Sequence, residues 1–293
     1  MPRDGGEAGG NWLPAAAALY DVVSPAVEQA MLSLVRELAS ATPAPAHDPF
    51  YGLDRIGGPS LRLLDRLTRH GDFRKYVVVL DAGAGLGGAA RWLALRYACR
   101  VVALDAAPRL VAVGTRLSRR ARLAGRVRGI AGSFEAVPAR DDAFTQIWSV
   151  EALQHAGDRR RALAELYRVL RPGCTLALQE IVRRAPDVPG FVSSAGTSNA
   201  SDDPSSRRGT VDEYLEALAA AGFHQVVHED VTAERVETSS VVLSARARLE
   251  RLLAATLPAD DAWHALTATR RRIEERIGGE YRVVHFFARR PSI

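Results

Sequence analysis

The chain has 293 residues, 47% of them apolar and 25% charged, with a formal net charge of +5 and a pI of about 9.6. That length suits one large α/β domain, or one domain with a cap. No apolar run is long enough to cross a bilayer, the opening MPRDGGEAGG lacks the apolar core of a secretion signal, and Cys99 and Cys174 form no Cys-x-x-Cys pair. The expectation is a cytoplasmic protein with no membrane partner and no metal site. Lys75 is the sole lysine among 39 basic residues. An arginine bias of that kind follows from a GC-rich coding sequence, so the positive charge is weak evidence for nucleic acid. The clusters Arg119-Arg120, Arg159-Arg160-Arg161 and Arg270-Arg271-Arg272 read as solvated helix faces with acidic neighbours.

In chain order, residues 1–13 read as a disordered tail, and 14–40 carry helical periodicity at Leu19, Val22, Val23, Val27, Met31, Leu34, Val35 and Leu38. A proline-rich linker (41–49), a glycine-rich loop (50–59) and a short helix (61–68) follow; together 14–70 is expected to form a helical cap or gate. At 77–88 the chain reads VVVLDAGAGLGG. A β-branched run ends in Asp81, four glycines follow, and a helical pattern starts at Ala89: a buried strand, a tight turn and a helix N-terminus. Glycines there let the backbone approach a ligand closely, and a helix start offers unpaired N–H groups.

Regular alternation comes next. Strands are expected at 101–104, 127–131, 144–150 and 175–181, with helices at 89–97, 108–123 and 158–170. Alternating β and α patterns predict a parallel sheet covered on both faces. A Ser/Pro/Gly/Asp-rich insert (183–209), a helix (211–221), a strand (223–231), one or two helices (234–277) and a last strand (281–288) complete the chain. Residues 71–293 are therefore expected to form the main domain, with cap inserts at 183–209 and 234–277.

Two readings compete for the glycine turn. Gly83, Gly85 and Gly88 satisfy the dinucleotide spacing Gly-x-Gly-x-x-Gly, which would suit an NAD(P)-dependent oxidoreductase. Asp81 argues against it, because a carboxylate beside a pyrophosphate repels it. A Tyr–Lys dyad is implausible too, since Lys75 precedes the first strand. Asp105 ends the second strand twenty residues past Gly85, where an acid accepts hydrogen bonds from ribose hydroxyls; a helix cap ahead of Pro108 is compatible with that role. After the fourth expected strand the chain reads Ser149-Val150-Glu151-Ala152, without the Asn/Asp-Pro-Pro-aromatic motif that grips the amine of a flipped base, which disfavours nucleic acid.

Four segments then carry a resemblance: GAGLGGAARWL at 83–93, GSFE at 132–135, 148–158, and RVLRPG at 168–173. Residues 76 to about 182 resemble the small-molecule branch of class I S-adenosylmethionine (SAM) methyltransferases, with sarcosine/dimethylglycine-type N-methyltransferases the nearest similarity. FYGLDRIG at 50–57 is similar to the gate upstream of the first strand in that group. Cys174 replaces that family's usual second glycine, and the insert at 183–209 does not match the group.

The resemblance implies a Rossmann-like fold: a seven-stranded, mostly parallel sheet with its last strand antiparallel and a helical cap. It implies SAM as cofactor, held by Asp81, Gly83, Gly85, Leu86, Asp105, Ala106, Ser133, Phe134, Val150 and Tyr51, the last as a gate over the methionine end. The family's adenine-binding Asp is missing at Ser133. His155 is the candidate base, and Glu151, with Gln154, a candidate for a polar or cationic acceptor. Glu180 is a third candidate, although a strand-end charge in solvent is its simpler reading. N-methylation of a small metabolite is favoured; C- or O-methylation of an isoprenoid or polyketide stays open, as does a non-catalytic SAM-binding module. The amphipathic N-terminal helix leaves room for a homodimer.

Overall fold

The run Val78–Leu80 lies in an interior strand of the sheet, with Val79 and Leu80 fully buried on its two faces. The computed structural model describes residues 23–41, 61–184, 208–236, 250–255, 257–258 and 262–292, with only the backbone helix given for 34–41. Seven strands, β1 (Val78–Ala82), β2 (Arg100–Asp105), β3 (Val127–Ala131), β4 (Phe144–Val150), β5 (Leu170–Arg183), β6 (His224–Asp230) and β7 (Tyr281–Arg289), form one sheet in the order β3-β2-β1-β4-β5-β7-β6. β1 to β5 pair in parallel, and β7 runs antiparallel between β5 and β6. The helices are α1 (Pro25–Ala41), α2 (Leu61–Leu67), α3 (Gly88–Tyr97), α4 (Pro108–Arg120), α5 (Arg159–Val169), α6 (Val211–Ala220) and α7 (Ala262–Arg276).

The period-two geometry of a strand explains the two main cores. Val79, Val101, Ala103 and Trp148 pack with Leu64 and Leu67 of α2 and Trp92 and Leu93 of α3. Leu80, Ala82, Leu104 and Ile147 pack with Leu163 and Leu166 of α5 and Tyr214 and Leu218 of α6. A third cluster lies over the glycine turn: Val27 and Met31 of α1, Leu110 and Val113 of α4, and Trp263 and Leu266 of α7 surround Leu86. Val27, Met31 and Leu32 in the first half of α1 are thus covered by the chain itself, and Glu28 pairs with Arg116 at 2.6 Å.

Caps end the helices where the sequence offers them. Asp158 accepts from the Arg161 N–H at the start of α5, Pro108 opens α4, and Thr210 with Glu213 forms a capping box on α6. β5 differs most from expectation: it begins at Leu170, not Thr175. Phe144 pairs with Leu170 and Gln146 with Thr175, so Arg171–Cys174 bulges out around Gly173, whose φ is 75°. The segment expected as one or two helices at 234–277 contains α7 and helical residues at 250–254, and a further helical stretch, 232–236, begins just before it; the tail (1–13) and residues 185–207 of the insert expected at 183–209 lie outside the described residues. Among the described residues, no helix is long and apolar enough to cross a membrane.

Candidate active site

Strand order reverses between β1 and β4, so the crevice beyond their carboxyl ends is where an open α/β sheet binds ligands. Asp81 is the penultimate residue of β1 there, paired in register with Ala103 and Trp148 and buried to 1% exposure. The turn after it is built for a close approach. Gly83 has φ 80°, and a methyl group there would stand 2.2 Å from the Cβ of Ala152. Gly85 has φ 56°, and a methyl there would have none of the described residues within 4 Å. Arg91, fully buried on α3, donates to the Leu86 carbonyl at 2.8 Å and holds the turn from within.

Asp105 ties the second strand to this turn. Its Oδ2 accepts from the Gly85 N–H at 2.7 Å and its Oδ1 from the Ala107 N–H at 2.9 Å. Burial raises its pKa, opposed by those two N–H groups. Each oxygen retains a second acceptor site, so the loop-and-cap role and a hydroxyl-binding role are compatible. Ala106 is half-buried beside it. Ser133 makes a tight turn by accepting from the Glu135 N–H at 3.0 Å, and the Phe134 ring comes within 3.7 Å of a methyl built on Gly83. Val150 closes β4, paired with Gln179. Leu86 is buried in the apolar cluster of α1, α4 and α7, and Tyr51 lies outside the described residues. The structure therefore brings Gly83, Phe134 and Ala152 together, and Gly85 with Asp105. A glycine turn open on one side among the described residues, two strand-end carboxylates and a helix start are a donor and acceptor set that fits the amino-acid and ribose parts of SAM.

The residues after β4 are held from both faces of the sheet. Glu151 has φ 54°, rare for a non-glycine residue, and is 6% exposed. Its carboxylate accepts from Arg270 at 2.8 Å and from the Gln179 amide at 2.9 Å, with the Arg235 guanidinium 3.7 Å away. Burial pushes its pKa up, but the two arginines and the hydrogen bonds from Arg270 and Gln179 together hold it below the ordinary value. Gln179 also bonds the His285 ring at 2.9 Å, and burial drives that imidazole down to about 3, so it is neutral.

Glu180 corrects the solvent reading: it is fully buried. It points to the opposite face from Gln179, accepting from the Leu153 N–H at 3.0 Å and the Tyr214 hydroxyl at 3.2 Å. Burial raises its pKa to about 7, against the pull of those donors. The Arg159 guanidinium lies 4.4 Å from the Tyr214 ring. The short 3₁₀ turn Leu153–His155 hangs between these two anchors. His155 is half-buried on it, its Nε2 3.3 Å from the Gln154 amide nitrogen.

The reading of Arg270-Arg271-Arg272 as a solvated face holds for only part of the triad. Arg271 pairs with Glu250 at the surface and Arg272 with Thr269, but Arg270 is buried against Glu151. The signal was present in the sequence: Trp263, Leu266, Arg270, Ile273 and Ile277 fall on one helical stripe, and all are buried. Arg235, Gln179, Tyr214 and His285 had no local signal, because their roles come from pairing across strands and helices distant in sequence.

Comparison with known proteins agrees with this fold. A family model described as a methyltransferase domain matches residues 80–178. The chain is 37% identical over 117 residues to a glycine/sarcosine/dimethylglycine N-methyltransferase of Actinopolyspora halophila, covering 40% of this chain but only 21% of that protein. It is 30% identical over 195 residues to methyltransferase GfsG of Streptomyces halstedii, covering 66% of this chain and 69% of the relative. Among solved structures, the [4+2]-cyclase SpnF superimposes with a TM-score of 0.68 at 22% identity, over 94% of this chain and 96% of that one, a likeness of fold. With its sheet order and a relative 30% identical of which it covers 69%, the chain belongs to the class I methyltransferases.

Proposed function

We propose that this chain binds SAM and transfers its methyl group to a small-molecule acceptor in the cytoplasm, with a nitrogen acceptor favoured. The observation that carries the proposal is the glycine turn at the strand-order reversal, open beside Gly85 among the described residues and flanked by Asp81 and Asp105. The similarity to a sarcosine/dimethylglycine-type enzyme favours nitrogen. When bound, SAM supplies a methyl group already activated by its sulfonium. Asp81 holds the cationic amine of the methionine end, and the backbone of Gly83 and Gly85 lies along it. Asp105 takes the ribose hydroxyls on its remaining acceptor sites, and Ala106, Ser133, Phe134 and Val150 border the adenine. Leu86 backs the turn from the core, and Tyr51 is proposed as the gate.

Beyond the cofactor, the chain's task is to orient the acceptor and keep water out, which suffices for an in-line displacement on an activated carbon. His155 takes a proton where the acceptor must lose one. Glu151 and Glu180 stay in the proposal as supports of the turn that carries His155. The carboxylate of Glu151 is matched by Arg270 and Arg235, so it does not offer a free charge to an amine. A screen of amine, hydroxyl and isoprenoid acceptors, scored by release of S-adenosylhomocysteine (SAH), tests the assignment. Turnover with an amine and none with the others is expected. Turnover confined to a carbon or oxygen acceptor overturns the nitrogen assignment, and SAH binding with no turnover leaves a SAM-binding module.

A further inference from the structure

We infer that Arg270 and Arg235 are positioning residues for the cofactor loop, acting through Glu151 and Ala152; this rests on the reading of the glycine turn as the cofactor cradle. Glu151 sits at the end of β4 in a left-handed conformation, φ 54°, which persists only where the surroundings impose it. Those surroundings are explicit. Its N–H donates to the Gln179 carbonyl at 2.6 Å, and its two carboxylate oxygens meet the Gln179 amide at 2.9 Å and Arg270 at 2.8 Å. Arg235 lies 3.7 Å away and pairs with Glu274 at 2.6 Å, while Glu274 is also 3.9 Å from Arg270.

Among the described residues, two arginines and two glutamates therefore meet one another. The glutamates are engaged by arginines there, which suits the cluster to hold a shape. The shape reaches the cofactor loop in one step. Ala152 follows Glu151, and its Cβ lies 2.2 Å from where a Gly83 side chain would begin. Arg270 belongs to α7, whose Trp263 and Leu266 pack in the same cluster as Leu86 on the other limb of the glycine turn. Helix α7 thus grips that turn twice: by apolar contact at Leu86, and by ion pair through Glu151 and Ala152 at Gly83. The helix belongs to the cap, so cap and cofactor loop are coupled through it.

The test is calorimetric titration of SAH into the full chain and four variants, each also melted without ligand. The variants are Arg270→Gln, Arg270→Lys, the double variant Glu151→Gln/Arg270→Gln, and the surface control Arg271→Gln. The expected result is about a ten-fold or greater loss of SAH affinity in Arg270→Gln, a smaller loss in Arg270→Lys, partial recovery in the double variant, and none of this in the control. Affinity in a folded Arg270→Gln equal to that of the parent overturns the inference and leaves the cofactor reading intact. Should Arg270→Gln not fold, the Lys and double variants decide: parental affinity in both overturns the inference, and weakened affinity in the Lys variant supports it. If the parent chain itself does not take SAH, the cofactor reading falls and the inference with it.

Discussion

Single residues at the ends of β1, β2 and β4 set the chemistry proposed here. Asp105 bonds the Gly85 and Ala107 N–H groups, so removing its carboxylate loosens the glycine turn and deletes a charge-assisted acceptor together. Asp105→Ala is expected to weaken SAH binding about ten-fold or more by calorimetry, and unchanged affinity would refute its role. Gly83→Ala places a methyl 2.2 Å from Ala152 at φ 80°, so we expect a loss of about 1–3 kcal/mol or more in chemical denaturation. Glu180 gives a pH signature. Its folded pKa is raised from 4.5 to about 7, so its contribution favours folding fully below pH 4.5 and is lost as pH rises through about 7. The linked change is on the order of 3 kcal/mol, with stability falling as pH rises across that window. Denaturation of Glu180→Gln from pH 4.5 to 8 should lack this slope; an unaltered slope would assign it elsewhere. Glu151, held below its ordinary pKa, works in the opposite sense and destabilises the fold only on acidification.

At the scale of elements, the sequence was legible wherever local periodicity decides structure. β3 and β4 run over the residues their patterns mark, and α3 and α6 depart from theirs by one residue at an end. Thr210 was readable as a cap because capping is local, and Thr210→Ala should cost about 1 kcal/mol in unfolding free energy. Elements whose extent depends on partners were not legible. β5 gains Leu170 because Phe144 of β4 pairs with it, and Gly173 lets the intervening residues bulge. The candidate site divides the same way. Asp81, the glycines and Asp105 stand at strand ends that the pattern itself locates. Glu180 appeared to be a strand-end charge because nothing near it in sequence announces Tyr214, 34 residues on. Arg270 lay hidden in an arginine triad, and only its place on the stripe of Trp263, Leu266, Ile273 and Ile277 marks it as inward-facing.

For the whole molecule, the sheet order places the crevice, and α1, α4 and α7 close over the glycine turn beside it through the cluster around Leu86. A cofactor bound there would contact parts of the chain from β1 to β4, so occupancy should stabilise the entire fold. The most direct test of the central claim is thermal unfolding with and without excess SAH, with NAD and NADP alongside. A ligand at a hundred times its dissociation constant adds about 2.7 kcal/mol to stability. We predict a clear upward shift with SAH and none with either nucleotide. A shift with a nicotinamide nucleotide and none with SAH would contradict the account and make this glycine turn a dinucleotide site.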